Sequence, residues 1–199
     1  MGLGISRSAA CLLLTLALST PLGGTEKSWS ITVLGAENDV RLPAVGEAVE
    51  YWNEQLASVH AKLRLGPIAR RDQQIPDDVL RQLAEPPYSA WASGINAIDG
   101  DVIVAMSGVD LVSHGASPRR DRKGIVIMRR ADIPPLSMPN VIRNVMAHEF
   151  GHVLGLPHNA DPAMLMCGRP SDCRPALFRS STKVFFPLTD ADRRAIAKH

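Results

Sequence analysis

Residues 148–158 read His-Glu-Phe-Gly-His-Val-Leu-Gly-Leu-Pro-His. His148 and His152 are four residues apart, so on a helix they lie on one face and both imidazoles can bind one ion. Gly155 follows where a helix needs a residue that tolerates positive φ in order to turn back. His158 then returns as a third nitrogen ligand. The spacing therefore predicts a helix that ends in a tight turn and a metal site with three imidazole ligands.

The ligand set indicates which metal and which kind of site to expect. Three neutral imidazoles leave one open position on a tetrahedral zinc ion, which distinguishes a catalytic zinc site from a closed structural one. An all-imidazole shell also favours zinc over harder or softer metals. Glu149 follows the first ligand directly, so we expect its carboxylate to lie beside the metal and to act as a general base. A helix with ordinary core histidines is the alternative, but it does not require Gly155 and His158 at these offsets.

The first 24 residues have the pattern of a signal peptide. They carry a single charged side chain, Arg7, and their apolar run Ala9–Leu18 is too short to span a bilayer comfortably. We expect residues 1–24 to be a leader and residues 25–199 to form one domain. The expected location is secreted or periplasmic, or membrane-tethered if the leader is retained. A buried N-terminal helix is the alternative.

The charge balance gives little indication of a nucleic-acid partner. The formal net charge is +2, and removal of Arg7 with the leader leaves +1. The densest basic cluster, Arg119 to Lys123, contains its own acid, Asp121. We interpret this cluster as a solvated loop rather than a nucleic-acid or anionic-surface contact. We expect no nucleic-acid partner, no stable membrane insertion after leader removal, and a monomer.

Two cysteines, Cys167 and Cys173, remain after removal of the leader. In an oxidising compartment they can close a small loop just beyond the metal site, so we favour a disulfide. The alternative is a thiolate ligand, which would occupy the open zinc position.

Hydrophobic periodicity predicts an alternation of strands and helices. Strands are predicted at residues 29–34, 61–68, 101–106 and 124–128. Helices are predicted at residues 43–59, 77–84, about 140–154, and from a capping box at Thr189 and Asp192 to near residue 198. Mixed loops are expected at residues 88–100 and around His114, which either contacts substrate or caps a turn. This order predicts an α+β fold with helices covering one face of a mixed sheet.

The His148–His158 segment is similar to the HExxHxxGxxH signature of metzincin metallopeptidases. Residues 158–166 further resemble the matrixin segment that leads into the Met-turn. The resemblance implies that the three histidines bind one catalytic Zn²⁺, that Glu149 activates water, and that Met166 lies beneath the site. It also implies a twisted, mostly parallel five-stranded sheet above a cleft, with a C-terminal helix.

By the same resemblance, the activity would be zinc-dependent hydrolysis of a protein or peptide bound extended along an edge strand. No matrixin pro-domain is expected, because few residues separate the leader from the first strand. Ca²⁺ has candidate ligands, but no loop motif supports it. These candidates are Asp99, Asp101, Asp110 and Asp121. Two alternatives stay open: a zinc-binding module without catalysis, which does not need Glu149, and a hydrolase of a non-peptide amide.

Overall fold

The computed structural model describes residues 26–84, 94–168, 173 and 183–199. The expected signal peptide lies outside these residues, as do residues 88–93 of the expected mixed loop. None of the helices in the described part of the chain has the length and apolar composition needed to cross a bilayer.

The described residues form five strands and four α-helices. The strands are β1 (Lys27–Leu34), β2 (Leu63–Arg71), β3 (Val102–Met106), β4 (His114–Ala116) and β5 (Gly124–Met128). The helices are α1 (Leu42–Ser58), α2 (Asp77–Ala84), α3 (Pro139–Val153) and α4 (Asp190–Ile196), and a single 3-10 turn spans Ile95–Ala97. Every element predicted from periodicity is present. The predicted capping box at the start of α4 is confirmed, since Thr189 and Asp192 exchange both of its hydrogen bonds.

The strands form one sheet in the order β2-β1-β3-β5-β4. All neighbours are parallel except β4, which pairs antiparallel with β5 at one edge. Every residue of β3 and β5 is buried. Their continuous apolar runs are typical of central parallel strands, which are covered on both faces. The predicted mixed, mostly parallel five-stranded sheet is confirmed.

The edge strand β4 was not predicted, and the prediction of a loop around His114 is wrong. Three residues centred on Gly115 are too few to show the alternation that identifies a strand. The segment becomes a strand through pairing with β5, with Gly115 opposite Val126. Such pairing depends on the position of β5 rather than on local propensity.

The sheet separates two apolar cores, because side chains on successive strand residues point to opposite faces. Val104 and Val126 pack with α1, α3 and α4 on one face. Ile103 and Ile125 pack with the buried leucines of α2 on the other face. The expectation that helices cover a single face is therefore corrected: α2 packs against the opposite face.

Helix α3 is held in position by buried hydrogen bonds from both sides. Trp52 of α1 donates its indole N–H to the carbonyl of Ala147, 2.8 Å away. Asn144, which is 1% exposed, donates its side-chain amide to the carbonyl of Val184 and accepts from the N–H of Phe186. These contacts orient the turn of α3 that carries the first histidine of the motif.

Candidate active site

Helix α3 and the turn that follows it bring the histidines of the motif together. The helix ends at Val153, and Gly155 adopts φ +83°. The N–H of Gly155 then donates to the carbonyl of His152, and the N–H of Leu156 to that of Gly151, each at 2.9 Å. The left-handed residue reverses the chain, as the sequence predicted, and returns His158 towards the helix.

The Nε2 atoms of the three imidazoles converge on one point. They are 3.1 Å apart between His148 and His152, 3.1 Å between His148 and His158, and 2.9 Å between His152 and His158. Nitrogens bound at 2.0–2.1 Å to a tetrahedral zinc ion lie about 3.4 Å apart. The observed separations are within about half an ångström of that geometry, so the residues fit a zinc ion.

Backbone carbonyls set the tautomers of the first two histidines. Nδ1 of His148 lies 2.7 Å from the carbonyl of Leu165, and Nδ1 of His152 lies 2.8 Å from the carbonyl of Leu156. A carbonyl only accepts, so each Nδ1 must carry the proton and each Nε2 keeps its lone pair. These lone pairs repel one another at this distance, and a cation at their centre replaces the repulsion with coordination.

Burial also keeps the imidazoles neutral. It lowers the pKa of His148 and of His152 to about 4, and it lowers the pKa of His158 as well. The hydrogen bonds from the two Nδ1 atoms oppose this effect but are weaker. At neutral pH all three rings are therefore in the form that binds a metal.

His158 is held by the segment that follows Met166. The N–H of Asn159 donates to the carbonyl of Met166 at 2.8 Å, and the N–H of Gly168 to that of Asn159 at 2.9 Å. A Cβ on Gly168 would lie 2.3 Å from Cγ of His158, so the backbone of Gly168 packs directly against the imidazole. Only glycine leaves room for this contact.

Cys167 and Cys173 form a disulfide with a Cα–Cα distance of 5.6 Å, which confirms the predicted pairing. Neither sulfur is then available as a thiolate ligand for zinc, so the alternative raised for these residues is excluded. The bond closes the loop that begins at Gly168, beside the third histidine.

Glu149 is buried beneath the edge strand. Its side of α3 faces β4, and the residue is 6% exposed. Burial raises the pKa of Glu149 to about 8, although a hydrogen bond from the N–H of Gly115 acts in the opposite direction. A Cβ on Gly115 would lie 2.2 Å from the backbone oxygen of Glu149. Gly115 thus lets the strand approach the helix closely enough for its N–H to reach the carboxylate.

Sequence reasoning did not identify Gly115, although a glycine beside a histidine in a short apolar segment was a usable signal. An isolated glycine in a strand often marks a close approach of two backbones. His114, whose role was left open, lines the cleft from the same strand.

Met166 is completely buried directly under α3. A Cβ on Gly151 would lie 2.3 Å from its Sδ and 3.2 Å from the ring of Trp52. The structure therefore places Met166 below the helix turn that carries His148 and His152. The residue immediately before His152 is glycine because this methionine occupies the space that a side chain would need.

A cleft of about 630 Å³ runs between β4 and α3 and contains the three histidines and Glu149. Its deeper wall is apolar and is formed by Leu136, Val141, Val145 and Leu165. The sequence did not predict this wall, because its residues come from separate segments that meet only in the fold.

Three of the four aspartates considered for Ca²⁺ have other partners. Asp99 pairs with Arg71, Asp101 accepts hydrogen bonds from Ser30, and Asp110 pairs with Arg129. Among the described residues, the three histidines form the one group of three or more potential ligands close enough to share an ion.

A mostly parallel sheet above a helix that carries two of three convergent imidazoles is typical of metzincin-like zinc metallopeptidases. The chain belongs to the matrixin family, whose pattern it matches over residues 68–198. The resemblance to metzincins and matrixins inferred from the motif is confirmed.

A solved structure shows a similar fold. Archaemetzincin from Methanopyrus kandleri superimposes with a TM-score of 0.51 and 15% sequence identity, over 88% of this chain and 96% of that chain. A zinc-dependent peptidase from Methanocorpusculum labreanum gives a TM-score of 0.41 and 18% identity, over 84% of this chain and 100% of that chain. Among curated proteins, no sequence matches the chain.

Proposed function

We propose that the protein is a zinc-dependent endopeptidase that cleaves protein or peptide substrates. The observation that carries this proposal is the convergence of three Nε2 lone pairs, within 3.1 Å of one another, beside the buried carboxylate of Glu149. His148, His152 and His158 would hold the ion, and their neutral state favours binding at neutral pH.

When bound, zinc supplies a Lewis acid that polarises the scissile carbonyl and acidifies a water molecule. Glu149 then accepts a proton from that water at its carboxylate and donates it to the leaving amine. Burial makes the carboxylate a stronger base than an exposed glutamate, while a nearby cation favours its ionised form. The hydrogen bond from the N–H of Gly115 holds the carboxylate in position.

The substrate would lie extended along β4. This strand pairs with β5 on one side only and borders the cleft. Because the N–H of Gly115 points to Glu149, it is not used in pairing with β5. Backbone groups on that side of β4 face the cleft, where an added strand can bind.

The test is Glu149→Gln in the purified protein. This substitution keeps the shape of the side chain but removes the base, so cleavage should fall by roughly 10²–10⁴-fold while zinc content stays at one ion per chain. Glu54→Gln, at an exposed position of α1, is the matched control and should cleave at the original rate. Zinc content is measured by mass spectrometry and cleavage on a mixed peptide library.

Each alternative predicts a different result. A zinc-binding module retains the ion and cleaves none of the peptides, with or without Glu149. A hydrolase of non-peptide amides leaves the library intact but turns over small amides in a manner that depends on Glu149. Cleavage at internal peptide bonds that is blocked by a chelator supports the endopeptidase.

We also propose that the chain is exported. The disulfide between Cys167 and Cys173 supports this location, because such bonds persist in oxidising compartments. Fractionation of producing cells, with mass analysis of the N-terminus, would reveal export and any leader cleavage.

A further inference from the structure

The loop between β4 and β5 concentrates positive charge just beyond the end of β4 that follows Ala116. Backbone hydrogen bonds between Arg119 and Arg122, at 2.8 and 3.3 Å, close it into a tight turn. We call residues 119–123 the basic hairpin. It carries four cationic side chains and one carboxylate, that of Asp121. Arg119 and Arg120 are exposed to solvent.

The basic hairpin continues directly from the edge of the active site. Ser117, two residues before Arg119, donates its hydroxyl to the carbonyl of His152 at 2.7 Å. Burial, and after it the positive charge of Arg122, lower the pKa of His114, which lines the cleft. The hairpin is therefore anchored to the metal-site helix, and its charge extends to the cleft.

The cations at the two ends of β4 differ in their partners. At the end of β4 where His114 lies, Arg129 lines the cleft but pairs with Asp110 at 2.5 Å. Within the described part of the chain, no ion pair includes Arg119 or Arg120. Like charges held in one tight turn repel each other, so an anion that binds there is stabilised by both. The end of β4 that follows Ala116 is thus the end that attracts acidic groups.

The direction of a bound peptide follows from strand pairing. An added strand pairs more favourably in the antiparallel direction, in which it runs opposite to β4. Glu149 lies level with Gly115, so the scissile bond would lie there. Residues before that bond then extend past Ala116 towards the basic hairpin. At about 3.3 Å per residue, the residues that reach it are roughly three to six positions before the cleaved bond.

We propose that the basic hairpin selects substrates with acidic side chains roughly three to six residues on the N-terminal side of the cleaved bond. This proposal rests on the proposed endopeptidase function. It assigns Arg119 and Arg120 as specificity-determining residues that contact the substrate and leave the chemistry unchanged.

The test compares quenched fluorescent peptides with one cleavable core, taken from a sequence that the zinc-loaded full chain cuts in a peptide library. Each peptide carries a block of glutamate, glutamine or lysine either before or after the core. The glutamate block before the core should raise kcat/KM roughly threefold to tenfold over glutamine, as expected for one or two exposed ion pairs. The gain should be in KM, and the lysine block should reduce kcat/KM.

Two further comparisons link the preference to the hairpin. In Arg119→Gln/Arg120→Gln the advantage of the glutamate block should disappear, while the glutamine peptide is cleaved at the original rate. Arg70→Gln/Arg194→Gln removes the same charge from exposed positions on β2 and α4, and should retain the preference. About 1 M sodium chloride, where the Debye length is about 3 Å, should abolish the preference in the original protein.

Equal cleavage of the glutamate and glutamine peptides overturns the proposal, as does a preference for acid after the core or an unchanged preference in Arg119→Gln/Arg120→Gln. These outcomes all leave the glutamine peptide cleaved, so they do not affect the proposed endopeptidase function. Failure to cleave any peptide in the library would instead count against that function.

Discussion

Met166 and Gly151 pack so closely that a Cβ on the glycine would lie 2.3 Å from the methionine Sδ. Both residues belong to the metal site, one on the helix that carries two histidines and one beneath it. The same Cβ would lie 3.2 Å from the ring of Trp52, and Met166 is fully buried, so the core around the glycine is filled.

Gly151→Ala should therefore destabilise the protein by about 1–3 kcal/mol, the usual cost of overpacking a filled core. The measurement is the free energy of unfolding in urea. Gly46→Ala is the matched control, because Gly46 also lies inside a helix and its added Cβ would meet nothing within 4 Å. The control should stabilise by about 0.5–1 kcal/mol. Equal effects of the two substitutions would contradict the packing argument.

Gly115→Ala should reduce activity and leave zinc in place. The new methyl group would overlap the backbone oxygen of Glu149, so β4 must move away and its N–H loses the carboxylate. A displacement of about 1 Å at a catalytic group costs roughly 10²-fold in rate. The readouts are kcat/KM and zinc content. Gly108→Ala, in the preceding loop with its nearest neighbour 4.0 Å away, is the control and should retain full activity.

Replacement of both cysteines, Cys167→Ser/Cys173→Ser, should weaken zinc binding. Without the disulfide, Cys167 and the adjacent Gly168, which packs against His158, are less constrained, so the third ligand is held less firmly. Loss of such a supporting contact typically costs 10–100-fold in metal affinity, and we expect roughly tenfold. Competition with a fluorescent chelator measures the change. A lower Tm with unchanged affinity would show that the bond supports stability alone.

Zinc affinity should stay nearly constant from alkaline pH down to about pH 5 and fall as the pH approaches 4. Protons compete with the metal for the imidazoles, and burial lowers the pKa of His148 and His152 to about 4. In the unfolded chain an ordinary histidine has a pKa of about 6.5. Between about pH 6.5 and 4 the unfolded state therefore binds more protons, and the chelator-treated protein should lose stability as the pH falls. A zinc-affinity profile with its midpoint near pH 6.5 would contradict this.

Glu47 on α1 and Arg143 on α3 form an ion pair whose side chains are 22% and 11% exposed. The hydrogen bond from Arg143 is the main reason that the pKa of Glu47 lies below its usual value. The pair therefore stabilises the fold fully above the unfolded pKa, and the contribution is lost as the pH falls through the lower folded value.

Glu47→Gln should cost about 1–2 kcal/mol at pH 7, and the difference from the original protein should shrink in acid. Thermal unfolding from pH 7 down to pH 3 gives this comparison. Glu50→Gln, exposed on the same helix, should differ little at any pH. A loss of stability in Glu47→Gln that is the same at every pH would show that charge is not its cause.

Much of the site was predictable because its spacing is local. Two histidines four apart, a glycine three residues later and a third histidine specify a helix, a reversal and a returning ligand without knowledge of the rest of the chain. The disulfide could be predicted equally well, since its two cysteines are six positions apart in the sequence. The strands β3 and β5 followed from continuous apolar runs.

The remaining parts of the site could not be predicted, because they depend on contacts between segments far apart in sequence. The strand β4 exists through its pairing with β5, and Gly115 matters only because β4 crosses above Glu149. The sequence predicted an ordinary solvated loop for the basic cluster at residues 119–123. The hydrogen bond from Ser117 to His152 shows that this loop starts beside the helix that carries two histidines.

The sequence by itself predicted the three histidines that converge, the glutamate next to the first of them, the disulfide and the order of the elements. The physical reason is that these features depend on helical periodicity and on turns of a few residues, which local composition and spacing are sufficient to predict. The tertiary structure alone decided three features: the edge strand, the apolar wall of the cleft, and the position of the basic hairpin at the end of β4. These depend on burial and pairing across the sheet, and our proposals assign to them the choice of peptides that the protein binds.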